Sequence, residues 1–339
     1  MNKQITREWS TNSLVHVIWQ DYPEIEQGLI QVKQIIHRDL SIKTPEINQK
    51  IRDYIDAPGK YLRAGLCLMF AKLVDDTISD ETLHIAAAIE VMHLATLIHD
   101  DVIDEADTRR GLNVLNQQMT NRIAIYTGDY LLVYAARLMK KAQRKLEGSP
   151  IDEWVLENIL NGEMSQLSNQ FKRDMTMYQY LRQVRGKTAM LFALATFGGY
   201  ADTSMTRRNK KRAFYVGQDI GMAFQLTDDL IDFRISKEAT GKPQLQDVQN
   251  GIYTAPILLA MEASGVSIRS RLLERNKIWS DKQLQDLVVA IDEEGAFERT
   301  EELVSNYLGK AFKRLDQVTD SPYKETIKRL VNQIMQRQF

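Results

Sequence analysis

Six aspartates in two short patterns are the residues of this chain best suited to chemistry. The first pattern is Asp100-Asp101-Val102-Ile103-Asp104 and the second is Asp228-Asp229-Leu230-Ile231-Asp232. Both read D-D-x-x-D, and each follows an apolar stretch with helical spacing. On a helix, residues i and i+4 share a face, so Asp100 points with Asp104 and Asp228 with Asp232. Like charges at that spacing repel, Asp is a poor helix former, and a helix C-terminus disfavours negative charge. A hard divalent cation offsets all three costs. Carboxylate oxygens suit Mg2+, which keeps several waters and is usually shared with substrate phosphates. A solvated acidic helix end is the competing reading, and it fits one such cluster better than it fits two.

Carboxylates holding Mg2+ call for an anionic substrate and for cations to meet it. Arg109-Arg110-Gly111 follows the first pattern directly, Lys60 and Arg63 flank a turn after Pro58-Gly59, and Lys187-Thr188 reads as a helix opening after Arg185-Gly186. Helix N-termini with adjacent Lys or Arg bind phosphate groups. His93 shares a helix stripe with Leu97, Asp100 and Asp104, so a site role stands beside the plainer reading of a core histidine. His99-Asp100 also spells the dyad of metal-dependent phosphohydrolases. That chemistry needs further histidine ligands, and none of the five histidines lies near the second cluster.

The elements that must position these residues are helices. None of the seven prolines falls between 59 and 149 or between 151 and 242, and proline breaks helix interiors. Both windows are rich in good helix formers. The pattern predicts helices over Glu81–Asp107, Ile125–Glu147, Thr206–Ser236 and Pro322–Gln338, with no strand alternation and no hairpin signal. The stretch 81–98 is apolar nearly all round and belongs in the middle of a large protein. The fold class is all-α: one large helical bundle, a single domain over 1–339, with about the first 20 residues peripheral.

Composition removes other classes. With 44 Lys+Arg against 45 Asp+Glu, the chain has a net charge of −1, whereas a nucleic-acid binder carries a basic excess. One cysteine, Cys67, cannot form an internal disulfide. The opening MNKQITREWS lacks the apolar segment of a signal peptide. The longest uninterrupted apolar run, 188–201, contains Gly198 and Gly199 and falls short of the roughly 18 residues of a membrane span. A cytoplasmic location is expected.

In order along most of the chain, these motifs resemble the trans-polyprenyl diphosphate synthases. Gly59-Lys60-Tyr61-Leu62-Arg63-Ala64 matches the family's first basic motif, followed by Ile89-Glu90, His93, Ala95, Thr96, Leu97, Ile98 and His99. The run Asp100 to Gly111 matches fully. Gly128-Asp129-Tyr130-Leu131-Leu132, Gly162-Glu163 with Gln166, Lys187-Thr188-Ala189, Phe224-Gln225, the second aspartate motif and Gly241-Lys242 complete the series. The resemblance implies the isoprenoid-synthase bundle around a deep central cavity. It implies an Mg2+-dependent prenyltransferase joining isopentenyl diphosphate head-to-tail to an allylic diphosphate. Asp100, Asp104 and Asp228 would hold Mg2+ on the allylic diphosphate, with Asp101, Asp229 and Asp232 supporting them directly or through water. Arg109, Lys187 and Lys242 would contact the allylic diphosphate and Lys60, Arg63, His93 and Arg110 would hold isopentenyl diphosphate, with Thr188 and Gln225 also among the substrate-binding residues.

Four positions depart from the family pattern. An expected Arg is Tyr61, an expected Lys is Leu112, an expected Gly is Leu245, and the lysine of Gly-Lys-x-Thr is Ile252. Three basic positions are lost and the six aspartates are kept. Ala95 and Thr96, one turn before Asp100, are small where short-chain relatives place aromatics, so the resemblance is to bacterial medium- and long-chain members. The family also implies a homodimer and a product handed to membrane enzymes. The lost lysines keep open a subunit of a heteromeric synthase that is inactive alone. A terpene cyclase or head-to-head synthase on the same fold is the other alternative; cyclases usually lack the paired basic site that Lys60, Arg63, His93 and Arg110 supply here.

Overall fold

The computed structural model describes residues 15–57, 59–106, 108–109, 112–142, 153–200, 205–234, 245–273 and 277–336. The chain is all-α, as its composition requires. Helices α1 (Pro23–Asp39), α2 (Pro45–Asp56), α3 (Leu62–Ala71) and α4 (Asp80–Ile103) come first. A minimal antiparallel pair follows, β1 (Thr108–Arg109) with β2 (Leu112–Asn113), Arg109 opposite Leu112. Then come α5 (Leu115–Gln118), α6 (Asn121–Ala142), α7 (Glu153–Asn169), α8 (Met177–Val184), a π-helical turn (Arg185–Ala189), α9 (Met190–Gly199) and α10 (Arg207–Arg234). The remainder is α11 (Gln246–Gln249), α12 (Ala255–Arg271), α13 (Asp281–Glu293), α14 (Ala296–Leu315) and α15 (Tyr323–Met335). The four expected helices are α4, α6, α10 and α15; α4 stops at Ile103 rather than running on to 107, and the expected ends at 147, 236 and 338 lie outside the described residues. The β pair was not expected, because two residues per strand leave no alternation to read.

The chain forms two compact units. One comprises residues 1–149, 194–214 and 318–327; the other comprises 150–193, 215–317 and 328–339. In the first unit α4 is the central element, packed on α1, α3 and α6. Its start is fixed by Ser79, whose side chain accepts the Thr82 N–H at 3.2 Å, a standard N-cap. Ile85 through Ile89 are fully buried, so the helix is apolar all round because it is surrounded. On length and composition α4 could cross a membrane, a possibility that counting only unbroken apolar runs passed over, but 72% of its apolar window is buried inside the protein. The segment before α1 is not peripheral from residue 15 onward. Trp19 is completely buried, its ring lies where a side chain at Gly65 would stand, and its indole donates to Lys60 O at 2.6 Å.

The second unit has its own core, built from Tyr180, Leu226, Leu230, Phe233, Ile257, Leu287 and Phe297 among others. Capping boxes start α8 (Thr176 with Gln179) and α13 (Ser280 with Gln283), each satisfying two helix N–H groups that would otherwise lack partners.

Candidate active site

Each unit carries one aspartate pattern at the C-terminal end of a long helix. In the first, α4 runs through Ile103 and Asp104 caps it, its N–H donating to Asp100 O at 2.8 Å. Asp100 and Asp104 are half-buried; Asp101 turns inward and is 2% exposed. In the second, α10 repeats the arrangement: Asp228 and Asp232 are half-buried and Asp229 is 1% exposed. The i, i+4 pairs therefore hold the accessible faces, and the second aspartate of each motif points into the protein.

What Asp229 does there is visible. Tyr180 donates its hydroxyl to Asp229 Oδ2. The Ala255 N–H donates to the same oxygen at 3.3 Å, and Gln225 Nε2 donates to Oδ1 at 3.2 Å. Burial pushes the carboxyl up to about 7, opposed by these three hydrogen bonds. Thr188 Oγ1 donates to Gln225 Oε1 at 2.7 Å, so the chain of bonds runs on to the turn that carries Lys187. Asp229 thus ties α10 to α8, to the start of α12 and to the π turn. The six aspartates expected to hold or support metal thus differ in burial: Asp100, Asp104, Asp228 and Asp232 are half-buried, whereas Asp101 and Asp229 are almost fully buried.

Among the described residues, no three carboxylate, histidine or cysteine side chains already form a metal cluster. Paired carboxylates fit Mg2+ without one, since this ion takes one or two carboxylates and completes its shell with water and phosphate oxygens.

The cations divide by how they are held. Lys187 does not open a helix: α8 and α9 are joined through the π turn Arg185–Ala189, so no free helix N-terminus is present there. A π turn inside an α-helix is often found at a functional site. Lys187 Nζ meets Glu163 Oε2 at 2.6 Å. Lys60 and Arg63 bracket Tyr61, which takes a left-handed conformation (φ 50°, ψ 38°) and is the N-cap residue of α3. Glu90 on α4 accepts the Ala64 N–H at 3.0 Å and so fixes that helix start. His93 lines a cleft with Ile36, Ile55, Tyr61, Glu90 and Leu97. His99 turns instead to α6, where Nε2 lies 3.2 Å from Ile125 O and 3.4 Å from Asp129; that is a packing role and not the phosphohydrolase dyad. Arg109 is placed only by its backbone in β1, and Arg110 and Lys242 lie outside the described residues.

The sequence model of one protein family, polyprenyl synthetase, matches residues 44–291. The chain belongs to the polyprenyl synthetase family. It is accordingly a prenyltransferase. The chain is 30% identical to heptaprenyl diphosphate synthase component 2 of Geobacillus stearothermophilus, covering 87% of this chain and 91% of that one. Its fold superposes on heptaprenyl diphosphate synthase from Staphylococcus aureus with a TM-score of 0.83 at 26% identity, covering 93% and 99% of the two chains. A polyprenyl synthase from Caulobacter crescentus, in complex with calcium and isoprenyl diphosphate, matches with a TM-score of 0.82 at 26% identity, covering 94% and 98%.

The departures of this polyprenyl synthetase from its family pattern have structural consequences. Tyr61 is buried and donates its hydroxyl to Ile55 O at 2.8 Å, with Lys33 Nζ 5.4 Å from its ring centre. Leu245 stands at φ 56°, the left-handed backbone that the expected glycine adopts freely, a strain of about 1 kcal/mol for a residue with a Cβ. It keeps that conformation because its side chain is fully buried in the second unit's core. Ile252 is half-buried in place of the lysine. Tyr180, Glu90 and Glu163 have structural roles at the site that residue type and local spacing do not reveal. The last two sit inside motifs that carried the resemblance; Tyr180 had no signal, since nothing local pairs it with a residue 49 positions away.

Proposed function

We propose that this protein is an Mg2+-dependent trans-prenyltransferase that condenses isopentenyl diphosphate with an allylic diphosphate to give a medium- or long-chain polyprenyl diphosphate. The observation that carries this reading is the twofold i, i+4 carboxylate pair, Asp100 with Asp104 and Asp228 with Asp232, each at the end of a long helix in a polyprenyl synthetase chain. Asp100, Asp104 and Asp228 would hold Mg2+, with Asp232 supporting, and the ion would supply charge withdrawal from the leaving diphosphate that favours ionisation of the allylic C–O bond; Lys187, Arg109 and Lys242 would bind the same diphosphate. Lys60, Arg63, His93 and Arg110 hold isopentenyl diphosphate with its double bond toward the allylic carbon. The chain's share of catalysis is positioning, charge stabilisation and exclusion of water. Incubation with farnesyl and isopentenyl diphosphates and Mg2+ should give longer prenyl diphosphates. No elongation under conditions where a related synthase is active would overturn the reading for the isolated chain.

Product length is read from α4. Thr96 lies one turn before Asp100 on the same face and is partly exposed, whereas Ala95 is completely buried. A tail descending from Asp100 therefore runs over Thr96. Thr96→Phe is expected to move the products to short chains with elongation retained, as seen by chromatography of the dephosphorylated alcohols. An unchanged product distribution would exclude Thr96 from the tail's path.

The protein is further proposed to work as a homodimer in the cytoplasm, its apolar product passing to membrane enzymes. Exposed apolar side chains support the dimer: on α6 Tyr126 (75% exposed) and Val133 (70%) stand seven residues apart, and on α7 Leu160, Met164 (57%) and Leu167 follow the i, i+4, i+7 spacing of one face. Isolated exposed apolar residues are ordinary, but contiguous rows mark interaction surfaces. Val133→Arg is expected to shift the species seen by size-exclusion chromatography with light scattering from dimer to monomer. The name component 2 carried by the Geobacillus relative favours one further reading, a subunit needing a second protein; activity appearing only when a partner is added would select it.

A further inference from the structure

Two Gly-x pairs cross in the second unit. Gly162 lies on α7 and Gly186 in the π turn, and their backbones touch: a Cβ on Gly162 would stand 2.3 Å from Lys187 N, and one on Gly186 would stand 2.6 Å from Asn158 O. The residues that follow them, Glu163 and Lys187, are thereby brought side by side. Their charged atoms are 2.6 Å apart, with only 18% and 22% of the side chains exposed.

We infer that Glu163 is the positioning residue for Lys187, aiming its ammonium at the allylic diphosphate. The inference rests on the reading of Lys187 as a diphosphate contact. A half-buried ammonium without an anion is costly to keep charged, and a lysine side chain is otherwise free to swing on four rotatable bonds. The carboxylate of Glu163 meets both needs before substrate arrives. An ammonium has three donors, so a lysine held by Glu163 can still turn a donor to phosphate oxygens when substrate binds. The π turn adds to the aim: Thr188, the next residue, is itself held by Gln225 at 2.7 Å, so the backbone under Lys187 is fixed from one side and its tip from the other. An ordinary interhelical ion pair would hold the two helices together without affecting where Lys187 points, and the two cases are separable.

The test compares the full-length wild type with Glu163→Ala and Glu163→Gln, in the presence of any partner subunit the wild type needs. Glu163→Ala should lower kcat/KM for the allylic diphosphate about tenfold or more, on the scale of losses from a misplaced binding group. KM for isopentenyl diphosphate and the thermal midpoint should stay near wild type. Glu163→Gln keeps an oxygen acceptor at the same place and should recover most of the loss. Calorimetry with inorganic pyrophosphate should show weaker binding by the Ala variant than by the other two proteins. Wild-type kinetics in Glu163→Ala would overturn the proposal, as would equal losses in both variants or a loss that only tracks a lowered midpoint. If the wild type elongates no primer, the functional reading fails by itself. The pyrophosphate arm then decides the inference, and equal affinity in all three proteins overturns it.

Discussion

Asp228→Asn is expected to lower kcat for elongation by about 10^3-fold, while its neighbour Asp229→Asn costs less than about tenfold. A thousandfold loss is about 4 kcal/mol of transition-state stabilisation, the order expected when a metal that neutralises a leaving group loses a charged ligand. Asp228 is on the accessible face of α10 with Asp232; Asp229 is 1% exposed and engaged by Tyr180, Gln225 and the Ala255 N–H. An asparagine at 229 can serve the same partners. Its Oδ1 accepts from Tyr180 and Ala255, and its Nδ2 donates to Gln225 once that amide turns over. The turned amide then donates to Thr188 Oγ1, so no buried group is left without a partner. The same contrast is expected in the first unit, where Asp100→Asn and Asp104→Asn should match Asp228→Asn. Steady-state rates at saturating Mg2+ and substrates measure the four variants. An Asp229→Asn loss equal to that of Asp228→Asn would show that both side chains bind metal and that the anchoring reading is wrong.

The contrast marks where sequence reasoning stops. Helix periodicity is local, so the pairing of Asp100 with Asp104 and of Asp228 with Asp232 could be read from spacing alone, as could the helices that carry them. The inward turn of Asp101 and Asp229 could not, because it depends on which elements pack behind α4 and α10. Tyr180 reaches Asp229 across 49 residues and Lys187 meets Glu163 across 24, and no window of sequence holds both members of either pair. The π turn was hidden for a related reason. Arg185-Gly186-Lys187 has the look of a break and a fresh start, but the glycine is there for the close approach of α7 and the helix continues through it. Trp19 shows the opposite error: a polar N-terminal run reads as peripheral until Gly65 is seen to leave room for the indole.

Gly162→Ala is expected to be the most damaging substitution that removes no functional atom. Its new Cβ would lie 2.3 Å from Lys187 N and 2.8 Å from Gly186 C, both backbone atoms, so no side-chain rotation relieves the clash. The π turn must move away from α7 by about an ångström, and overpacking of this kind typically costs about 1–3 kcal/mol. The larger effect is expected on catalysis, because Lys187 travels with the turn, and a shift of that size in a positioned group can cost about 10^2-fold. A lowered thermal midpoint should therefore accompany a roughly hundredfold fall in kcat/KM for the allylic diphosphate, with KM for isopentenyl diphosphate little changed. Gly309→Ala supplies the control. Gly309 is also helical, in α14, and a Cβ there meets nothing within 4 Å. Alanine should stabilise that helix by about 0.5–1 kcal/mol with kinetics unchanged. If Gly162→Ala keeps wild-type kcat/KM despite its lowered midpoint, the crossing of the two glycines is a packing feature only, and Lys187 is not aimed by it.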